Sequence, residues 1–227
     1  MTEDDDTPVS GVHAPPTKLT TTKQRWAQEH KFLTGRIARP EAERLPPSQH
    51  LVKDWPVLDL GIQPHLPPFR WSLDVDGLVD KPMHWTWDAF SALPQTREVT
   101  DIHCVTTWSR YDNRWDGVST RDLLAIVEPR EDAHFVVLHS FDGYTTNLPL
   151  MDFAAPDAIL AHSWEGAPLT REHGGPLRLV VPHLYFWKSA KWLKRIQFVA
   201  SDELGFWEVR GYHERGDPWK EERYSGD

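Results

Sequence analysis

The chain has 227 residues, 39% of them hydrophobic and 26% charged, so most of its length can fold around a packed core. Its formal net charge of −9 argues against nucleic acid as a partner, because binding a phosphate backbone needs clustered lysine and arginine side chains. No apolar stretch approaches the roughly 18 residues that cross a bilayer, and the acidic start of the chain lacks the features of an export signal. We therefore expect a cytoplasmic protein without a membrane span.

Residues 1–45 are polar and contain several prolines. We predict that they form an acidic N-terminal tail and arm, with the first ~20 residues disordered and a candidate helix around Lys23–Leu33. From Pro46 the pattern becomes that of a folded protein, so residues 46–227 are predicted to form one domain.

The first regular elements follow within this domain. Phe69–Asp76 alternates between apolar and polar side chains, which predicts a strand with one face in water. Trp85–Leu93 is typical of a short helix. A second helix is predicted to begin at Ser119, which has the spacing of a capping box with Asp122. Its apolar face would consist of Leu123, Leu124 and Val127.

Three later segments are short and rich in β-branched or aromatic residues, which predicts buried strands. They are His134–Leu138, Leu177–Val181 and Ile196–Val199. Helices and strands mix without the regular alternation that builds a parallel sheet. The sequence therefore predicts an α+β fold with a substantial sheet component.

Cys104 is the only cysteine in the chain. One thiol excludes an intrachain disulfide, a four-cysteine zinc site and a self-contained iron–sulfur cluster. A lone cysteine is often a small buried hydrophobe. Its thiolate is also a soft ligand for transition metals, and the nearby Arg110 and Arg114 could attract an anionic substrate.

Two further segments suggest an anion-binding site. A pair of glycines precedes a strand on which Arg178 lies among apolar residues. Burying this arginine is costly without an anionic partner, which could be a phosphate, a pterin or an internal carboxylate. In Tyr185–Leu193, small residues flanked by lysines could bring backbone amides close to an anion, or could form a basic surface loop.

Three sequences carry a resemblance to a known family: IHCVTTWSRYDNRWDGV (102–118), GAPLTREHGGPLRLVVP (166–182) and KSAKWLKRI (188–196). In this order they resemble the molybdopterin-binding domain of the sulfite oxidase family. The resemblance runs from about Pro46 to the C-terminus and is closest to small bacterial members without haem or dimerisation domains. It implies the sulfite-oxidase-type fold, with mixed β-sheets and short flanking helices, and a molybdenum–molybdopterin cofactor.

The resemblance also implies roles for single residues. Cys104 falls on the position of the molybdenum ligand, Arg110 would contribute to catalysis, and His162 falls where sulfite oxidases carry a substrate-site tyrosine. A histidine there could deliver protons near neutral pH. The implied cofactor contacts are Gln49, His50, Cys104, Ser140, His173, Arg178, Ser189, Ala190 and Lys191.

The function implied by the resemblance is oxygen-atom transfer to or from a small oxo-substrate, either sulfite-like or sulfoxide- or N-oxide-like. Because the chain has one cysteine and no haem motif, a separate electron-transfer partner is expected. Two alternatives stay open on the residues alone. One is a zinc-dependent hydrolase that uses Cys104 with some of His103, His139 and His162. The other is a non-enzymatic binding module built on the 12 tryptophans.

Overall fold

A computed structural model describes residues 43–227. The predicted tail and its candidate helix lie outside the described residues, except for 43–45. Two β-sheets and three short helices make up the fold, which confirms the predicted α+β class. None of the helices in 43–227 is long and apolar enough to cross a membrane.

The first sheet contains six strands in the order β1-β5-β8-β10, with β4 added beside β5 and β9 beside β8. All its pairings are antiparallel except that of β1 with β5. The strands are β1 (His50–Leu51), β4 (Thr96–His103), β5 (Trp108–Ser119), β8 (Ile159–Trp164), β9 (Ala167–Pro168) and β10 (Arg178–Val180).

The second sheet has five strands in the order β3-β2-β11-β6-β7. Only β2 and β11 run parallel. The strands are β2 (Ser72–Gly77), β3 (Met83–Thr86), β6 (Phe135–Ser140), β7 (Thr145–Pro149) and β11 (Leu193–Val199).

The helices are α1 (Trp87–Ser91), α2 (Thr120–Val127) and α3 (Leu150–Phe153), and short 3-10 turns cover Pro68–Arg70, Phe186–Lys188, Glu208–Arg210 and Pro218–Lys220. Ser119 caps α2 as predicted, with its side chain accepting a hydrogen bond from the backbone N–H of Arg121. The helix predicted at 85–93 is shorter. Its N-cap is Thr86, whose hydroxyl accepts from the backbone N–H of Ala89, so Trp85 stays in β3.

The first sheet separates two apolar clusters. The larger lies between the sheets, with Leu73 and Val75 of β2 facing into it from the strand predicted by alternation. The smaller lies on the other face of the first sheet and contains Cys104. Strand β8 contributes to both clusters because successive side chains alternate between faces. Leu160 packs into the larger cluster, whereas Ile159 and Ala161 pack with Cys104.

The C-terminal segment is anchored to the domain by a buried ion pair. The ammonium of Lys188 lies 2.6 Å from a carboxylate oxygen of Glu208, and both side chains are fully buried. The same oxygen of Glu208 accepts hydrogen bonds from the hydroxyl of Thr146 and the indole N–H of Trp187. Removing one partner of such a pair leaves a buried charge uncompensated, so the turn Glu208–Arg210 is firmly positioned.

Candidate active site

Cys104 lies in a tight turn between two strands of the first sheet, at the edge of a cavity of about 250 Å³. Its backbone N–H donates to the carbonyl of Trp108, and its carbonyl accepts from the N–H of Thr107. Thr107 adopts a positive φ of 75°, which closes the turn within four residues. The turn therefore presents the thiol at a fixed point, with only 6% of the residue exposed.

Gln49 supports the cysteine turn from behind. Its side-chain amide nitrogen Nε2 donates to the carbonyl of Cys104 over 3.1 Å, and its Oε1 accepts from the hydroxyl of Ser109. Burial raises the pKa of the Cys104 thiol, while contact with Thr106 and the charge of Arg223 lower it in part. A thiol that binds a metal must lose its proton, so metal binding here would release one.

The opposite part of the cavity is basic and centres on Arg178. This side chain is 2% exposed, yet its guanidinium donates only to the backbone carbonyls of His173, Ser189 and Leu179 within residues 43–227. It also lies 4.3 Å from the ring centre of Phe186. Burial lowers the pKa of Arg178 to about 9. Within residues 43–227 no carboxylate pairs with this arginine, so the internal carboxylate that the sequence left open is not found there.

Two other basic side chains line the cavity beside Arg178. Burial and the charge of Arg178 lower the pKa of His173 to about 4 and that of Lys191 to about 8. The Lys191 ammonium donates to the carbonyl of Glu172, and the His173 ring stacks on Trp55 at 3.8 Å. The charge of Arg178 disfavours the charged forms of both neighbours, and Asp59, Asp142 and Glu172 offset this in part at Lys191. An anion bound among the three basic groups would be stabilised by them.

Gly174 allows the basic side chains to come together. Its φ is +100°, and an added Cβ would lie 2.8 Å from the Cβ of Lys191. Any larger residue would therefore push Lys191 away from His173 and Arg178. The close approach of Lys191 explains Gly174, the first glycine of the pair that precedes the Arg178 strand. At the second, Gly175, an added Cβ would lie 2.3 Å from the carbonyl oxygen of Leu169.

Much of the remaining cavity wall is aromatic, and two carboxylates, Asp59 and Asp142, also line it. It includes Trp108, whose buried indole N–H has no hydrogen-bond partner in the described part of the chain. Other aromatic side chains on the wall are Trp55, Tyr144, Phe186, Trp187, Trp192, Trp207 and Tyr212. A cavity with one buried thiol, a buried arginine that pairs with no carboxylate of residues 43–227 and an unused indole donor can hold a planar, anionic, metal-bearing group.

Comparison with known proteins identifies that group. Residues 60–207, more than half of the chain, match the family described as "Oxidoreductase molybdopterin binding domain". The chain is also 49% identical over 188 residues to the uncharacterized oxidoreductase YuiH of Bacillus subtilis, covering 82% of this chain and 95% of YuiH. The chain belongs to the sulfite oxidase-like family of molybdopterin-dependent oxidoreductases. Its cofactor is molybdenum–molybdopterin.

Two further similarities bear on function and fold. The putative protein-methionine-sulfoxide reductase subunit YedZ1 of Azospira oryzae is 33% identical over 141 residues, which cover 62% of this chain and 53% of YedZ1. The crystal structure of the sulfane dehydrogenase SoxCD from Paracoccus pantotrophus superposes with a TM-score of 0.56 at 20% identity, covering 83% of this chain and 60% of that one. The latter confirms the predicted sulfite-oxidase-type fold.

The residues present fit the anionic cofactor of this family. His173, Arg178, Ser189 and Lys191, four of the predicted cofactor contacts, line one cavity with Cys104. Ala190 is buried between Ser189 and Lys191 but does not line the cavity. Ser140 is also absent from the cavity lining, and its buried hydroxyl has no hydrogen-bond partner among residues 43–227. Gln49 contacts the carbonyl of Cys104 rather than the cavity, and His50 is exposed on β1.

The prediction that His162 lies beside Cys104 is wrong. His162 follows Ala161 on β8, and alternation turns its ring to the opposite face of the sheet from Cys104. Its ring nitrogens contact the Ser163 hydroxyl and the Gln95 side-chain oxygen, each at 2.8 Å. It lines a shallow surface cleft with Trp87 and does not line the Cys104 cavity.

His162→Phe should therefore leave turnover and molybdenum content within about twofold of the wild type, since its ring is separated from the cavity by the sheet. Steady-state kinetics and metal analysis of the purified variant check this. A loss of about 100-fold, the size expected for a general acid, would contradict the placement.

Arg110 also lies outside the cavity. Its guanidinium donates to the Asn113 side chain and the Lys53 carbonyl, and it covers the ring of Trp164 at 4.7 Å. Trp164 packs against Trp55, which lines the cavity. Arg110 thus forms part of a layer behind the wall, and its catalytic role stays a prediction.

The zinc-hydrolase alternative finds no ligand cluster. Within residues 43–227, no three His, Cys, Asp or Glu side chains come together to hold a metal ion. His103 contacts the Ser109 hydroxyl and His139 contacts Gln197. Most of the tryptophans within residues 43–227 line the cavity or fill the core, which leaves few for the binding-module alternative. The family model that the chain matches is that of an oxidoreductase domain.

Several residues of the site are not apparent from the sequence. Trp55 stacks on His173 from a loop without periodicity. Tyr212 lines the cavity, and Arg223 donates to the carbonyl of Val105 beside the cysteine turn. Both come from the C-terminal segment, beyond the residues that match the family. Only their proximity in the fold links them to Cys104.

Proposed function

We propose that this protein catalyses molybdenum-dependent oxygen-atom transfer between the metal and a small oxo-substrate. One observation carries the proposal. The single thiol of the chain and an arginine buried without a carboxylate partner line the same cavity. A soft metal ligand and an anion site in one enclosure are what a metal–pterin phosphate requires.

Each group has a distinct task in this proposal. Arg178, Lys191 and Ser189 would hold the anionic part of the cofactor, and Cys104 would supply the thiolate that binds the metal. When bound, the cofactor supplies two-electron redox chemistry at molybdenum. The amide of Gln49 keeps the cysteine turn in place, because it spans the Cys104 carbonyl and the Ser109 hydroxyl. The surrounding aromatic side chains limit the access of water.

We further propose that the substrate is a neutral sulfoxide or N-oxide and that it is reduced. Among the described residues that line the cavity, the basic ones are His173, Arg178 and Lys191, and all three belong to the anion site. Arg110 lies behind the wall, and Arg223 donates to the Val105 carbonyl from outside the lining, so among the described lining residues no cation is left for a doubly charged anion such as sulfite. The relative YedZ1 carries the name of a putative protein-methionine-sulfoxide reductase subunit, which supports the same class.

Reduction needs electrons from outside the chain. The sequence has one cysteine, and Cys104 is assigned to the metal, so no iron–sulfur relay can be built from this chain alone. We propose a separate electron-transfer partner, either a redox protein or a small carrier.

The test is purification with molybdenum and pterin analysis, followed by two assays. Reduced viologen dye with dimethyl sulfoxide or trimethylamine N-oxide tests reduction, and sulfite with ferricyanide tests oxidation. Dye oxidation that depends on the sulfoxide or N-oxide supports the proposal. Turnover of sulfite alone would reverse the assigned direction and substrate class, and loaded protein inactive in both assays would contradict oxygen-atom transfer to these substrates.

A further inference from the structure

We propose that the hydroxyl of Thr106 donates a hydrogen bond to the sulfur of Cys104 when that sulfur binds the metal, and that this hydrogen bond raises the reduction potential of the bound cofactor. This inference rests on the proposed function, in which Cys104 is the metal ligand. Thr106 acts through Cys104 and is therefore a positioning residue.

The first observation is the contact itself. The Oγ1 of Thr106 lies 3.1 Å from the Sγ of Cys104, and in the free thiol either atom could donate the hydrogen bond. A thiolate bound to a metal has no proton to give, so in the loaded protein the hydroxyl of Thr106 is the donor. Within residues 43–227 this hydroxyl makes no other hydrogen bond. Its proton therefore stays free for the sulfur.

The second observation is that the backbone between the two side chains is held from outside the turn. Two peptide groups connect Cys104 to Thr106. The carbonyl of the first, that of Cys104, accepts from the side-chain amide of Gln49 at 3.1 Å. The carbonyl of the second, that of Val105, accepts from the guanidinium of Arg223 at 2.6 Å. A donor whose backbone is fixed in this way can keep its orientation toward the sulfur when the metal binds.

The third observation is that the sulfur has otherwise apolar surroundings. Cys104 is buried in the smaller apolar cluster, where Ile159 and Ala161 pack with it. Among the side chains of residues 43–227, that of Thr106 alone makes a hydrogen bond with this sulfur. A hydrogen bond in apolar surroundings is electrostatically stronger than one in water. One hydroxyl can therefore change the electron density of the ligand appreciably.

The direction of the effect follows from charge. Electrons from the separate donor make the metal and its ligand sulfur more negative, and a hydrogen bond to the sulfur stabilises this added charge. Thr106 thus favours the reduced state over the oxidised state, which raises the reduction potential and eases the uptake of electrons. Thr106 keeps its proton throughout, because the sulfur only accepts the hydrogen bond.

The experiment is a redox titration of cofactor-loaded protein, followed by the electron paramagnetic resonance signal of the metal. Thr106→Val removes the hydroxyl and keeps the branched shape, whereas Thr106→Ser keeps the hydroxyl. Thr107→Val is the matched control, because the Thr107 side chain is exposed, lies outside the cavity lining and makes no hydrogen bond within residues 43–227. We expect Thr106→Val to disfavour reduction about tenfold, which is about 59 mV for a one-electron couple. The other two variants should stay close to the wild type.

A spectroscopic measurement separates this role from a structural one. The absorption band in which the Cys104 sulfur donates to the metal should move to longer wavelength in Thr106→Val, because the sulfur holds its electrons less tightly without the hydrogen bond. An unchanged potential in Thr106→Val would overturn the inference, and so would a serine variant that behaves like the valine variant. Loss of cofactor from Thr106→Val would overturn it as well, since the role would then be structural. A lowered potential in Thr106→Val, with wild type that reduces neither sulfoxide nor N-oxide, would support the inference and refute only the proposed function.

Discussion

Cys104→Ser should reduce turnover to background while the protein still folds and retains pterin. The hydroxyl of serine is a harder and less electron-donating ligand than a thiolate and would not reproduce the thiolate's bond to molybdenum, and the chain has no second cysteine to replace it. The turn itself should persist, because its hydrogen bonds use the backbone of Cys104 and the side chain of Gln49. Unfolding free energy should change by about 1 kcal/mol or less.

Three measurements check this result. Steady-state assays with reduced viologen report turnover, pterin fluorescence reports cofactor content, and thermal unfolding reports stability. Cys104→Ala serves as a second variant, because it removes the side-chain ligand without leaving a hydroxyl that could bind the metal. Wild-type turnover in either variant would show that Cys104 is one more small buried residue of the apolar cluster.

Much of the fold could be predicted because local signals agree with tertiary structure. The strand through Leu73 and Val75 and the capped helix after Ser119 each carry a pattern that one apolar face imposes on the sequence. The prediction of a helix over 85–93 is wrong at its first residues, because Trp85 pairs with Leu73 of β2 and lies in strand β3. Such long-range pairing leaves no mark in a window of nine residues.

The site could be predicted where chemistry is unusual. An arginine on an apolar strand is a costly arrangement, and the single cysteine is the one thiolate ligand that the chain can offer; both prove to line the cavity. The face of His162 could not be predicted, because β8 is buried on both sides. Its residues Ile159, Leu160 and Ala161 are all apolar, so alternation does not reveal which side faces Cys104.

Tyr212 could not be predicted for a different reason. It follows a short 3-10 turn in a segment without helical or strand periodicity, and Gly211 with a φ of +96° redirects the chain just before it. The contacts that bring it to the cavity are rings far away in sequence, such as Trp187. A residue placed by tertiary packing alone has no signature in a single sequence.

The second large effect that we expect is a loss of cofactor from Arg178→Met, which should be purified with little of its molybdenum and pterin. Methionine keeps an extended side chain but no charge, so the anionic cofactor would lose a buried cation and its hydrogen bonds, at a cost on the order of 2–5 kcal/mol. No carboxylate is paired with Arg178 in the described chain, so none is stranded by the change. The cofactor-free protein should therefore lose less stability than the 3–5 kcal/mol typical of breaking a buried ion pair.

Lys191→Met should show the same loss in milder form, because Lys191 is less buried and donates to one carbonyl only. The matched control is Lys194→Met. Lys194 lies three residues along the same basic segment but is exposed and outside the cavity.

Molybdenum and pterin content, together with thermal unfolding of cofactor-free protein, separate an effect on cofactor binding from an effect on folding. Equal cofactor content in Arg178→Met and Lys194→Met would mean that the basic end of the cavity does not hold the cofactor. A large loss of stability in cofactor-free Arg178→Met would instead mark the arginine as a structural residue, whose burial is compensated by the three carbonyls it now contacts.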